Sequence, residues 1–345
     1  MAAFEELMGI RNLVAPSESI TLTGTDPVLS SRFSLGNTAA DIQLAIGVAV
    51  NDLWEMSAGR RQTLSTKTEY AAAALKSYQY LSVSFQQANR AFALQKSRQA
   101  ISTPHLTKDG RYFLPHMGLP HLAERVLKIL ECDYELNSVV EAVSRWDARA
   151  LEDAIAQAEG CGAMVRTETE WLAHPQGESL HLKPVIEIEK IADSDPEPPP
   201  QGVKPAPLAS VRVLDLTRIL AGPTCARTLA EHGADVLMVT SKDLPQTEYF
   251  VMDTSHGKRT TYLDLNISEQ RSKLLELVKD ADVFSQGYRP GVMAKLGLTP
   301  EALAELRPGL IYTSMNCYGF SGPWADRAGW EQLAQTVTGM AAEQG

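Results

Sequence analysis

Two stretches of this chain hold residue types that could grip an anion. Thr217-Arg218-Ile219-Leu220-Ala221-Gly222-Pro223 follows the apolar run Val211–Leu216 and opens a helical pattern. A helix start offers N–H groups with no internal partner, and Gly222 lets another backbone approach closely. Further on, Asn266, Gly287, Tyr288, Arg289 and Lys295 fall after two more strand-like runs. An ordinary strand-to-helix turn accounts equally well for the first stretch taken alone. Solvated surface accounts for Arg289 and Lys295; Lys242, Lys258 and Arg259 are looser candidates for the same charge task, with surface or packing the simpler role. A third stretch, Tyr318-Gly319-Phe320-Ser321-Gly322-Pro323, reads as a glycine-punctuated turn.

Other chemistries find little support. The loop after Val211–Leu216 lacks GxGxxG, which argues against hydride transfer, and no GxSxG elbow suggests a Ser-His-Asp hydrolase. Cys132, Cys161, Cys225 and Cys317 are scattered without a CxxC pair, which suits reduced thiols and argues against zinc. His105, His116 and His121 lie among Pro104, Pro115 and Pro120 without helical metal spacing, and read as loop or packing residues. Asp41 and Asp52 are isolated carboxylates. Asp215 and Asp264 lie within strand-like runs, where bonding to neighbouring loops is the simpler role.

Alternating strand and helix patterns must position these residues. Strands are predicted at Val211–Leu216, Asp235–Val239, Thr260–Leu265, Val283–Gln286 and Gly309–Ser314. Helices are predicted at Pro223–His232, Ser268–Asp280, from Thr299-Pro300 to Leu306, and over Gln332–Met340. That order implies a parallel sheet covered on both faces, with ligands beyond the strands' carboxyl ends. Upstream, Ser194–Pro207 is too rich in proline and charge for a helix or central strand. Before it the chain reads as mostly helical: Thr38–Ser57, Glu69–Phe92, His121–Leu130, Leu136–Ser144, Ala148–Glu159 with Asp147 as N-cap, and Glu168–Ala173. Cys161–Arg166 is a short strand. The fold class is therefore α/β, with a Rossmann-like parallel sheet in the C-terminal domain and a mostly helical α+β N-terminal region. The division is 1–193, a linker at 194–208, and 209–345.

With 345 residues, two domains are expected. The net charge of −10 argues against nucleic acid and anionic membranes as partners. No apolar run reaches membrane-span length, the richest being Ile42–Leu53, and no secretory or peroxisomal signal is present. The expected setting is cytoplasmic, with a mitochondrial one left open.

The four successive segments VRVLDLTRILAGPTCARTLAEHGADVLMV, HGKRTTYLDLN, SQGYRPGVMAKLGL and PGLIYTSMNCYGFSGPWADRAGWEQLAQ resemble the front half of the family III CoA-transferases, a group that includes α-methylacyl-CoA racemase. The resemblance implies coenzyme A or an acyl-CoA as substrate, with no permanently bound cofactor or metal, and a carboxylic acid as second substrate. It also implies a homodimer. The adenosine diphosphate would be held by Leu220, Ala221, Leu263, Asn266, Gly287, Tyr288, Arg289 and Lys295, with Gly287 replacing a commoner asparagine. Stacking on Tyr288 with two cations facing phosphates makes physical sense of that set. The turn Tyr318–Pro323 would border the thioester. Trp330 stands where the racemases carry histidine, and an indole cannot shuttle a proton, which counts against racemization.

The region upstream of the linker is similar to the back half of the same family, in WEMSAGRRQTLSTKTEYAAAAL and AEGCGAMVRTETEWLAHPQ. On that match the nucleophilic aspartate falls at Tyr70, whose phenol is a poor substitute, with Glu69 beside it. No catalytic nucleophile is assigned. The order is thus back half, linker, front half, and the chain stops before a second copy of the nucleophile. A piece of a longer two-module protein fits this order, as does a single permuted fold. The expected function is CoA transfer between an acyl-CoA and a carboxylate, with a racemase-like isomerase or an inactive CoA-binding protein as the alternatives.

Overall fold

The computed structural model describes residues 2–11, 19–82, 100–196 and 205–344. In chain order its strands are β1 (Ile20–Thr23), β2 (Leu64–Lys67), β3 (His105–Leu106), β4 (Tyr112–Pro115), β5 (Gly162–Met164), β6 (Arg212–Asp215), β7 (Asp235–Thr240), β8 (Lys258–Tyr262), β9 (Val283–Gln286) and β10 (Ile311–Ser314). They form sheets of two, three and five strands, ordered β1-β2, β3-β4-β5 and β10-β9-β6-β7-β8.

The chain folds into two compact units that do not follow its linear order. One comprises Met1–Leu81, Pro184–Gly287 and Leu296–Ser314, and the other Ser82–Lys183, Tyr288–Lys295 and Met315–Gly345. Residues from both sides of the proline-rich stretch thus contribute to each unit.

The first unit is built on the five-stranded sheet, whose pairings are all parallel. β9 is buried throughout, and β6 after its first residue, whereas the edge strand β8 is mostly exposed. Val213 and Val283 on one face and Leu214 and Phe284 on the other are all buried, so both faces are covered. The helix Ala221–Glu231 packs Ala226, Leu229 and Ala230 against Val213, Val236 and Val283. Upstream, the helix Leu35–Ala58 sets Leu44, Ala45 and Val48 against Phe4 of the helix Ala2–Arg11 and against Leu22 and Leu64 of the β1-β2 pair. A short 3-10 turn, Ser77–Tyr80, then docks on the helix Glu248–Thr254: Tyr78 meets Phe250 edge-on at 5.0 Å, and Ser77 Oγ donates to Asp253 Oδ2 at 2.8 Å.

In the second unit the antiparallel strands β3, β4 and β5 carry helices at Pro120–Leu130, Leu136–Val143 and Ala148–Gln157. Phe113, Val126, Val139, Leu151 and Ile155 are completely buried in its core.

Some expectations are corrected. The helix predicted from Glu69 to Phe92 stops at Ala74, after which the chain turns, and residues 83–92 lie outside the described ones. Leu75 caps that helix, its N–H donating to Ala73 O. Asp147 is the N-cap residue of Ala148–Gln157, yet its side chain makes no cap bond; Asp109 Oδ1 and Oδ2 instead accept from Ala148 N at 3.3 Å. The third strand of the large sheet runs Lys258–Tyr262 rather than Thr260–Leu265. Its register pairs Val236 with Lys258, a residue whose charge apolar periodicity excludes but whose partner Asp215 allows in the ladder.

Candidate functional site

β6 lies between β7 and β9, the point where strand order reverses, so the loops leaving β6 and β9 border the crevice that open parallel sheets use for ligands. Leu220 caps, and Ala221 begins, the helix that follows β6, and Thr224 N donates to Leu220 O at 2.8 Å. Gly287 follows β9 directly and is exposed. The structure therefore brings Leu220, Ala221 and Gly287 to neighbouring strand exits.

The loop after β6 has an unusual shape. Ile219 has φ of 74°, in the left-handed region that a β-branched side chain disfavours. Gly222 presses on Thr217 so closely that a Cβ there would lie 2.3 Å from Thr217 Cβ. Thr217 in turn donates its N–H to Asp215 Oδ1 at 3.0 Å, and its hydroxyl to the same oxygen. Asp215 Oδ2 accepts from Lys258 Nζ at 2.8 Å, and Lys258 also donates to Pro223 O at 2.9 Å. The side chain of Lys258, a surface or packing candidate by sequence, is thus wholly buried.

Leu263 and Asn266 lie beyond β8, two strands from β6, or about 10 Å across the sheet. Leu263 N donates to Thr240 O at 2.8 Å. Asp264 Oδ1 accepts from both the N–H and the Nδ2 of Asn266 at 3.0 Å, which holds that exposed side chain.

Tyr288, Arg289 and Lys295 belong to the second unit. Arg289 lies 3.6 Å from Glu159 Oε1 and donates to Asp326 O at 3.5 Å; Lys295 is exposed at the end of the helix Pro290–Lys295. In the same unit the glycine turn is held by a buried amide: Gln176 Nε2 donates to Tyr318 O at 2.7 Å and to Ser321 O at 2.8 Å, while its Oε1 accepts from Trp324 N at 2.7 Å. Trp330 stacks on His116 with ring centroids 4.5 Å apart. Burial pushes the His116 imidazole down to about 4, a hydrogen bond from the ring to the Gln332 side chain opposing it. His105 is likewise buried, its Nε2 2.8 Å from Ile101 O.

Tyr70, at the expected nucleophile position, is 65 % exposed on the first turn of Thr68–Ala74, with Lys67 Nζ 5.3 Å from its ring centre. Glu69 is exposed beside it, at the positive end of that short helix. Other carboxylates of this region are engaged. Asp26 accepts N–H groups of Asn37, Val28 and Gly36, which hold it below the usual range, and Asp52 is held low by Arg11 and Arg61. Asp41 is 3 % exposed on the buried face of Leu35–Ala58, and Phe4 N donates to its Oδ2 at 3.4 Å. Sequence reading passed over it as an isolated carboxylate. Its signal was helical spacing, since Asp41, Leu44, Ala45 and Val48 share one face and an acid stands among apolar residues.

All four cysteines are free thiols, and burial pushes Cys161 and Cys317 up to about 12, well away from nucleophilic thiolates. Among the described residues no group of three or more His, Cys, Asp or Glu side chains is arranged for a metal ion. Nor, among them, is any helix long and apolar enough to cross a membrane.

Fold and loops define an open parallel α/β protein whose β6 and β9 exits border the point where strand order reverses. Residues 208–345 match CoA-transferase family III, and this segment belongs to that family. The acetyl-coenzyme A transferase nodX of Hypoxylon pulicicidum is 33 % identical over 268 residues, covering 72 % of this chain and 45 % of that protein. An acyl-CoA transferase of Gibberella moniliformis is 32 % identical over 249 residues, covering 70 % of this chain and 43 % of its own. Both matches are longer than residues 208–345, so the similarity continues upstream of that segment. A crystal structure of the hypothetical protein Rv3272 from Mycobacterium tuberculosis is 35 % identical over 36 % of this chain and 38 % of that one, with a TM-score of 0.35. The chain spans less than half the length of these curated relatives.

Proposed function

We propose that this chain binds an acyl-CoA and takes part in CoA transfer to a carboxylic acid. One observation carries the reading: the strand-exit loops at the sheet's reversal point, with Leu220, Ala221 and Gly287, lie within the segment that belongs to CoA-transferase family III. Leu263 and Asn266 are assigned to the same nucleotide-bearing ligand, as are the ring of Tyr288 and the cations of Arg289 and Lys295. The turn Tyr318–Pro323 is assigned to the thioester. Regions 1–193 and 209–345 correspond to a back half and a front half of the family, joined by the linker. A homodimer and a cytoplasmic setting complete the reading; sedimentation velocity tests the first.

No residue of this chain is assigned as the nucleophile, since Tyr70 stands at its place with Glu69 beside it. In the family reaction an aspartate carboxylate would attack the thioester carbonyl and expel CoA thiolate, leaving a mixed anhydride. The thiolate would then attack the aspartyl carbonyl of that anhydride, releasing the first acid and leaving an enzyme–CoA thioester. An incoming carboxylate reverses both steps and departs as the new acyl-CoA.

The test is trapping. Incubation with acetyl-CoA and hydroxylamine should place a hydroxamate on a carboxylate, located by peptide mass spectrometry, and Glu69→Gln tests whether Glu69 carries it. CoA binding without an adduct on any carboxylate would leave an inactive CoA-binding protein.

A further inference from the structure

A wholly buried ion pair lies directly beneath the strand-exit loop, and its purpose is not evident from stability. Lys258 Nζ and Asp215 Oδ2 are 2.8 Å apart, and neither side chain has any solvent exposure. Taking two such charges out of water costs several kcal/mol each, and buried pairs are commonly replaced by apolar residues without loss. A pair kept in such a place fixes geometry more than it adds stability.

The contacts show which geometry. Lys258, on the edge strand β8, reaches under β7 to Asp215 at the end of β6 and to Pro223 O in the first turn of the helix Ala221–Glu231. Asp215 uses its other oxygen to hold both Thr217 N–H and the Thr217 hydroxyl. Thr217 is the wall against which Gly222 closes. The two ends of the loop 217–223 are thus tied to one cation, and between them Ile219 is held at φ of 74°. A β-branched residue stays in that conformation only when its surroundings over-determine it. A free loop would relax Ile219 and swing Leu220 and Ala221 with it.

We propose that Lys258 and Asp215 are positioning residues that lock the loop 217–223 in the shape that presents Leu220 and Ala221 to the nucleotide of CoA. The ligand part of this inference rests on the CoA-binding reading above.

The experiment compares wild type with Lys258→Met and with the double variant Asp215→Asn/Lys258→Met. Lys258→Met leaves a buried carboxylate unpaired and should lower the melting temperature by more than about 5 °C. The double variant removes that charge, keeps an oxygen for Thr217 N–H, and should recover most of the loss. Two readouts then separate positioning from plain structural support. Amide hydrogen exchange over 217–226 should be at least about tenfold faster in the double variant while β7 and β9 exchange as in wild type, and CoA affinity by calorimetry should fall at least about tenfold. A double variant that recovers stability and shows wild-type loop exchange overturns the proposal. So does one whose loop loosens while CoA binds as well as before. If wild type itself binds no CoA, the CoA reading fails; faster loop exchange in the double variant then still establishes the lock, and unchanged exchange refutes it.

Discussion

The Nε2 of Gln176 lies 2.7 Å from the carbonyl oxygen of Tyr318, although 142 residues separate them. Gln176 precedes the proline-rich stretch and Tyr318 follows it, so an amide from the upstream region shapes a turn inside the family III segment. All polar atoms of that amide are used, and Gly322, at φ of 82°, closes over it so tightly that a Cβ would sit 2.6 Å from Gln176 Oε1. Gln176→Leu should destabilise the protein by about 2–4 kcal/mol, because two carbonyls and one N–H lose buried partners. Urea unfolding followed by tryptophan fluorescence measures it. A loss below about 0.5 kcal/mol would show that the turn holds its shape unaided.

A buried ion network in the same unit should behave asymmetrically. Glu152 accepts from Arg166 Nη1 at 2.7 Å and from Met164 N at 2.9 Å, while Arg327 stacks on Trp324 at 4.0 Å with its Nη1 3.8 Å from Glu152 Oε2. Arg166→Met should cost about 3–5 kcal/mol through the stranded carboxylate, and adding Glu152→Gln should return a good part of it. Additive losses in the double-mutant cycle would contradict that coupling.

Stability should fall on mild acidification through His116. Its folded-state value, about 4, lies below the ordinary 6.5 because burial against Trp330 disfavours the charged ring. Between those values the unfolded chain holds a proton that the folded chain lacks, so the contribution is complete above pH 6.5. It declines as pH falls toward 4, by about 3 kcal/mol in total. His116→Phe should flatten this part of the stability–pH curve, and an unchanged curve would place the titration elsewhere.

Gly222→Ala tests the loop after β6 from its other wall. The added methyl would lie 2.3 Å from Thr217 Cβ and 2.8 Å from its Oγ1, a clash that only a backbone shift relieves. CoA affinity should drop at least about tenfold while the far-ultraviolet circular dichroism stays native. Wild-type affinity would show that the loop tolerates the shift.

Much of the large sheet was legible because parallel strands buried on both faces read as short apolar runs punctuated by glycine and proline. Val283–Gln286 emerged with its limits intact, and the helix at Pro300–Leu306 was marked by Thr299, whose hydroxyl accepts from Ala302 N at 3.3 Å. What stayed hidden depends on contacts distant in sequence. Lys258 reads as surface until Asp215 is found opposite it. Asp41 reads as one acid among many until its helix face is packed under Phe4. The β1-β2 pair joins residues 44 positions apart (Ile20 with Leu64) and leaves no local signature. Interleaving of the two units was equally invisible, because composition marks the proline-rich stretch but does not say which segments pack together.

Isothermal calorimetry of the wild-type chain with coenzyme A tests the central claim most directly. Binding with a dissociation constant below about 1 mM, weakened when Arg289 and Lys295 are both changed to alanine, is the predicted result. No detectable association at millimolar CoA would contradict the account.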